Sequence, residues 1–161
     1  MKTIDIKIQY AVYDSIEELP IEVQELMKRA VDARRNAYAP YSHFKVGAAL
    51  LLENGEVVIG SNQENASYPS GLCAERVAIY HAGAQFPNQK ITQMAVTAAS
   101  DHKTVMTPVP PCGACRQTIA EYEVGQQTPI EIYFMGETGK VIKSDSLKDL
   151  LPLIFDGSAL S

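Results

Sequence analysis

Two short segments, Cys73-Ala74-Glu75 and Pro111-Cys112-Gly113-Ala114-Cys115, contain all three cysteines of this chain and one carboxylate beside them. Thiolates hold Zn²⁺ well, and a catalytic zinc site has three protein ligands and leaves its fourth position to water. Cys73, Cys112 and Cys115 supply that ligand count. Glu75 then remains free to carry protons instead of binding metal. The spacing therefore predicts a zinc site built to activate water.

Two plainer readings compete with this one. Three small thiols could simply pack in a core, as free cysteines often do, but their clustering beside Pro, Gly and Glu argues otherwise. A purely structural zinc normally takes a fourth Cys or His. There is no fourth cysteine, and His43, His81 and His102 lie outside the two segments. Glu75 taken alone reads as an ordinary first-turn glutamate favoured by the helix dipole; beside Cys73 the acid–base role is preferred.

The elements that must position these groups follow from local pattern. Both cysteine segments fall at predicted helix starts, where unpaired N–H groups and the positive end of the dipole favour thiolate. Cys112 and Cys115 are one helical turn apart and share a face, so Cys73 must arrive from the other helix. Three thiolates leave the zinc with a surplus negative charge. The helix ends, Arg76 and Arg116 are the groups expected to offset it.

Along the rest of the chain, Ile4, Ile6, Ile8 and Tyr10 alternate with polar residues, as in a strand or an extended arm. Ser15-Ile16-Glu17-Glu18 resembles a capping box, and Pro20 suits a helix start. Val23, Leu26, Ala30, Ala33 and Ala37 recur at helical spacing. Strands are expected over residues 45–52, 56–59, 91–99, 130–135 and 140–142, with Asn54-Gly55 turning the first hairpin. Helices are expected over residues 73–84 and 112–122, and Ser146 caps a short last one over 147–151. The pattern is one α/β layer structure around a mixed sheet.

Composition narrows the function. The chain has 161 residues, 46% hydrophobic and 20% charged, with a net charge of −5. This fits one soluble domain. There is no basic cluster for a nucleic-acid polymer and no run long enough to span a membrane. An odd cysteine count without an apolar leader points to a reducing cytoplasm.

These residues resemble the cytidine deaminases, in particular the small homotetrameric type. The resemblance runs from about Val23 to Phe155. It is carried by the stretch Tyr41 to Leu50, by Asn62-Gln63-Glu64-Asn65-Ala66, by Cys73-Ala74-Glu75-Arg76 and by the stretch Pro111 to Gln117. It implies a three-layer α/β/α fold with a mixed five-stranded sheet over residues 16–161, preceded by an extension over 1–15 with no assigned role. It implies one zinc per subunit on Cys73, Cys112 and Cys115. Glu75 moves protons from the activated water to N3 of the pyrimidine and to the departing amino group. Phe44 stacks on the base, the backbone N–H of Ala74 binds it, and Asn62 and Glu64, in the loop ending at Ala66, clamp the ribose. Tyr68 and Phe155 match positions that reach a neighbouring subunit's site. The implied reaction is hydrolysis of cytidine and 2'-deoxycytidine to uridine and 2'-deoxyuridine in pyrimidine salvage. Lys45 departs from the proline many relatives carry there.

Three other readings are weighed against it. A blasticidin-type deaminase shares the cysteine motifs, but the Asn62–Glu64 pair favours a nucleoside. A polynucleotide-editing deaminase usually has His as first ligand and needs a basic channel. A non-catalytic zinc module has no need of Glu75.

Overall fold

The computed structural model describes residues 1–160. Its sheet has six strands in the order β1-β6-β5-β4-β2-β3. In chain order these are β1 (Ala11–Tyr13), β2 (Phe44–Leu52), β3 (Val57–Ser61), β4 (Ile91–Ser100), β5 (Glu131–Met135) and β6 (Val141–Ser144). Only β4 and β5 run parallel; every other neighbouring pair is antiparallel. The sheet is mixed, as expected, but it has a sixth strand where five were expected. Ala11–Tyr13 adds to the edge of β6, inside the segment to which the sequence assigned no role. A three-residue strand acquires its character from its partner rather than from its own residues.

Helices cover both faces. α1 (Ile21–Arg35) starts after Pro20 and buries Val23, Leu26, Met27, Ala30 and Ala33. It packs with Ala49, Ala95, Tyr133 and Met135 on one face of the sheet. α2 (Ala74–Gln85), α3 (Gly113–Gln126) and α4 (Leu147–Leu150) cover the other face, against Ala48, Leu50, Met94, Val96, Ile132 and Phe134. Successive residues of β2 and β4 thus face opposite helical layers, as a period of two requires. Two glycines let helices approach closely. A Cβ at Gly47 would lie 2.0 Å from the Ala30 carbonyl oxygen, and one at Gly60 would lie 2.5 Å from that of Ala74. Gly60 thereby lets the first turn of α2 rest on β3.

The topology decides where the site forms. β3 and β4 both run antiparallel to β2, and Gly47 lies opposite Ser61 on one side and Thr97 on the other. Both strands therefore end at the same end of the sheet. α2 follows β3 and α3 follows β4, so the two helix N-termini meet there.

Behind them, Glu123 of α3 is buried. Its carboxylate accepts from Ile130 N (2.8 Å), Leu147 N (2.9 Å) and Ser146 Oγ (2.6 Å), tying α3 to β5 and to the start of α4. Ser146 in turn caps α4 by accepting from Lys148 N. Glu123→Ala would strand two buried N–H groups at a cost of about 1–3 kcal/mol each. We expect the variant to lose about 2–6 kcal/mol in urea unfolding with an unchanged m-value; a loss under about 0.5 kcal/mol would contradict this role.

Candidate active site

Cys73 is the N-cap residue of α2 and Cys112 the N-cap residue of α3, with Cys115 in the first turn of α3. The Cys73 and Cys112 sulfurs are 3.7 Å apart and those of Cys112 and Cys115 are 3.5 Å apart. All three lie within 4.8 Å of one another, the one such cluster of metal-binding side chains among the described residues. Tetrahedral zinc with Zn–S bonds of about 2.3 Å needs sulfurs about 3.8 Å apart. The donor set and its spacing fit a zinc ion.

Charge is distributed accordingly. The Cys73 thiol is pulled down to about 5, first by a hydrogen bond from Cys115 and then by Arg76 and Cys112, against the effect of burial. Cys115 is pushed up by that same hydrogen bond, by burial and by the Glu75 charge. Cys73 is thus the thiol of this pair readier to ionise, and metal binding favours the thiolate form. Arg76 Nη2 lies 3.9 Å from Cys73 Sγ, while its buried Nε has no hydrogen-bond partner among the described residues. Arg116 acts differently from expectation. Its Nε donates to the Pro111 carbonyl (2.8 Å) and its Nη1 to that of Leu150 (2.9 Å). It holds the backbone leading into Cys112.

Glu75 is 4% exposed and is pushed up to about 7, chiefly by burial and further by the Cys73 charge. It lines a cavity of about 640 Å³ together with Cys73, Cys112 and Arg76. Apolar walls come from Val46, Leu72, Val96, Val109 and Pro110, and Phe44, Asn62, Glu64 and Tyr68 line the same cavity. A concave, mostly apolar pocket with a few convergent polar groups suits a small flat ligand.

The loop expected to clamp a sugar is held from several sides. Asn62 Oδ1 accepts from Val46 N (2.7 Å), and its Nδ2 donates to the Phe44 carbonyl (2.9 Å). Glu64 accepts from Tyr41 N (2.9 Å), from Ser42 N (3.2 Å) and from the Ser42 hydroxyl. These bonds, the hydroxyl first, keep its carboxyl below the usual range. Counting donors and acceptors, Asn62 keeps one N–H and Glu64 about one acceptor site for a ligand.

Ser42 was not singled out by sequence reasoning. Its hydroxyl also accepts from Phe44 N (3.0 Å), joining the aromatic to the carboxylate. The only available signal was its place between Tyr41 and His43, and nothing in that spacing marks a hydrogen bond to residue 64. His43 adopts φ of 54°, a left-handed conformation that turns the chain into Phe44. Lys45 pairs with Asp101 at 2.8 Å, fastening the start of β2 to the end of β4. Ala74 is buried beneath the site at the first position of α2. Ala66, Ala74, Cys115, Arg116 and Phe155 are not among the residues lining the cavity. Phe155 is 60% exposed, and its carbonyl accepts from Gln117.

Known proteins match this fold and site. A profile described as "Cytidine and deoxycytidylate deaminase zinc-binding region" matches residues 20–128, a span that includes all three cysteines and Glu75. The cytidine deaminase of Halalkalibacterium halodurans is 42% identical over 132 residues, covering 82% of this chain and 92% of that one. That of Sporosarcina psychrophila is 38% identical over 141 residues, covering 88% and 96%. Among solved structures, a cytidine deaminase from Burkholderia pseudomallei superposes with a TM-score of 0.71 at 38% identity, covering 85% of this chain and all 100% of the other. The chain belongs to the cytidine and deoxycytidylate deaminase family. Its cofactor is zinc, for which the three-thiol cluster is the site. No helix of the described residues is long and apolar enough to cross a membrane.

Proposed function

We propose that this chain hydrolyses cytidine and 2'-deoxycytidine to uridine and 2'-deoxyuridine with release of ammonia, as a step of pyrimidine salvage in a reducing cytoplasm. The observation that carries this reading is a buried carboxylate, Glu75, that lines an apolar cavity together with Cys73 and Cys112 of the three-thiol cluster. We assign the chemistry to residues 16–161. Zinc held by Cys73, Cys112 and Cys115 supplies Lewis acidity that makes a water molecule acidic near neutral pH. Glu75 accepts the proton of that water and delivers it to N3 of the ring. The water oxygen adds to C4 as a hydroxyl; Glu75 then takes that hydroxyl's remaining proton and passes it to the amino group, so the C4–N bond breaks, ammonia leaves and the C4 carbonyl of the product forms. Phe44 stacks on the base, the N–H of Ala74 holds its edge, and Asn62, Glu64 and Ala66 hold the ribose. Arg76 and Arg116 steady the cluster, one beside a sulfur and one through the backbone.

We further assign Tyr68 and Phe155, which are 76% and 60% exposed in the single chain, to the site of a neighbouring subunit in a homotetramer. On this reading sedimentation of the active enzyme gives four chains, and an active monomer would refute it.

Glu64 bears on substrate choice. Its carboxyl is held ionised, and two like charges about 6 Å apart at an effective dielectric of about 20 repel by about 3 kcal/mol, or about a hundredfold. Following loss of the cytidine ultraviolet band, we expect kcat/KM for cytidine to exceed that for cytidine monophosphate by at least about that factor. Faster turnover of the monophosphate would overturn the assignment in favour of a nucleotide deaminase.

A further inference from the structure

Residues 1–10 take no part in the site. Ile4, Ile6, Ile8 and Tyr10 fall on one side of an extended chain, and Asp5, Lys7 and Gln9 on the other. This is the pattern of a strand with one buried face, yet Ile4 is 86% exposed and Ile6 52%. Residues 1–10 form neither strand nor helix. The reason lies in the neighbour: β1 begins at Ala11, opposite Lys143, and β6 ends at Ser144. The chain ahead of Ala11 has run past its partner strand. Its base is anchored, because the Tyr10 hydroxyl donates to the Asp149 carbonyl at 2.6 Å. β1 is also the outermost strand, so its far side is an open sheet edge. The arm also precedes the first residue of the family match.

The residues of the arm complement themselves. Laid antiparallel on a second copy about Ile6, Ile4 falls opposite the partner's Ile8, Ile6 opposite the partner's Ile6, and Asp5 opposite the partner's Lys7. Apolar pairs then share one face and opposite charges the other, both of which stabilise an antiparallel pair. The competing registers are penalised. A shift of two residues one way sets Asp5 against the partner's Asp5, and the other way Lys7 against the partner's Lys7. A parallel in-register pair makes both of these like-charge contacts. Such repulsion against neighbouring alignments is how a strand pair acquires a unique register.

We propose that residues 4–8 form an antiparallel strand pair with the same residues of a second copy of this chain, about a twofold axis at Ile6. The contact is isologous, with the Ile4–Ile8 and Asp5–Lys7 pairs each made twice and Ile6 meeting its mate once on the axis, and it continues each sheet beyond β1.

Register-specific crosslinking tests this on the zinc-loaded full chain, oxidised with glutathione disulfide and resolved on non-reducing gels. In Ile6→Cys the two new sulfurs face each other. In Ile4→Cys they lie about 14 Å apart along the strands, beyond the Cα limit of about 7 Å for a disulfide. We expect at least about tenfold more covalent dimer from Ile6→Cys than from Ile4→Cys, and a return of the dimer in Ile4→Cys/Ile8→Cys. Adding Asp5→Lys to Ile6→Cys lowers the yield, and adding Asp5→Lys with Lys7→Asp restores it. Equal yields from Ile4→Cys and Ile6→Cys would overturn the proposal, as would yields no higher than that of the unsubstituted chain. Failure of the charge swap to restore the dimer would overturn it too.

Discussion

Glu75→Gln is expected to lower kcat on cytidine by about 10²–10⁴-fold while the protein keeps its zinc, because the amide preserves shape but can neither take nor give the proton. The pH profile of the parent enzyme carries the same signature. Glu75 must be ionised to accept a proton, so activity falls on the acid side of its pKa. In the metal-free chain burial places that value at about 7, against 4.5 for an unperturbed glutamate. A nearby dication favours the ionised form, so the acid limb lies between these two values. The limb should be missing from the residual activity of the variant. Stability moves the other way. A carboxyl whose folded pKa exceeds its unfolded value costs stability progressively as pH rises from 4.5 to 7. In chelator at pH 8, Glu75→Gln should therefore unfold later than the parent, by up to about 3 kcal/mol. A variant that retains parental kcat, or one that loses activity together with its zinc, would contradict the role given to Glu75.

The second large effect is expected from Cys112→Ala. Cys112 is the exposed member of the trio and Cys115 the buried one, so truncating Cys112 removes a ligand without opening a cavity in the core. Zinc held by thiolates in small sites is worth about 10–16 kcal/mol. Losing one of three ligands should forfeit roughly a third of that, or about two to four orders of magnitude in affinity. We expect metal analysis of Cys112→Ala after dialysis against a mild chelator to find less than about a tenth of the parental zinc, with activity lost in proportion. The melting temperature of the parent should drop on adding chelator, and that of the variant should not move. Full activity in the dialysed variant would show that the cluster is not the catalytic centre.

Much of this site was legible in the sequence, because its signals are local. Cys73 and Cys112 mark helix starts through their neighbours, and Ser146 caps α4 as its type suggests. Asn54-Gly55 turns the β2–β3 hairpin with Gly55 at φ of 87°. What the sequence missed depends on distant partners. Ala11–Tyr13 is a strand only because β6 lies beside it, while the alternating residues 4–8 pair with no strand among the described residues. Glu123 lies just past the expected helix end and drew no reading from the sequence, yet it is buried because the start of α4 and the residue ahead of β5 bring three donors to it. Arg116, one residue after a ligand, was expected to offset the charge on the sulfurs; two of its five donors go to the carbonyls of Pro111 and Leu150, contacts the spacing did not reveal. α3 runs on to Gln126 through Gly125, where side-chain pattern alone suggested an end near Tyr122. Asn62 and Glu64 were legible as a polar pair, but not the backbone groups of Tyr41, Ser42, Phe44 and Val46 that hold them.

X-ray absorption at the zinc edge, on the purified substrate-free enzyme with its metal quantified, tests the central assignment most directly. One zinc per chain with three sulfurs at about 2.3 Å and a single light atom at about 2.0 Å is the predicted first shell. A shell completed by a histidine or a fourth sulfur, or full cytidine turnover in protein free of metal, would contradict it.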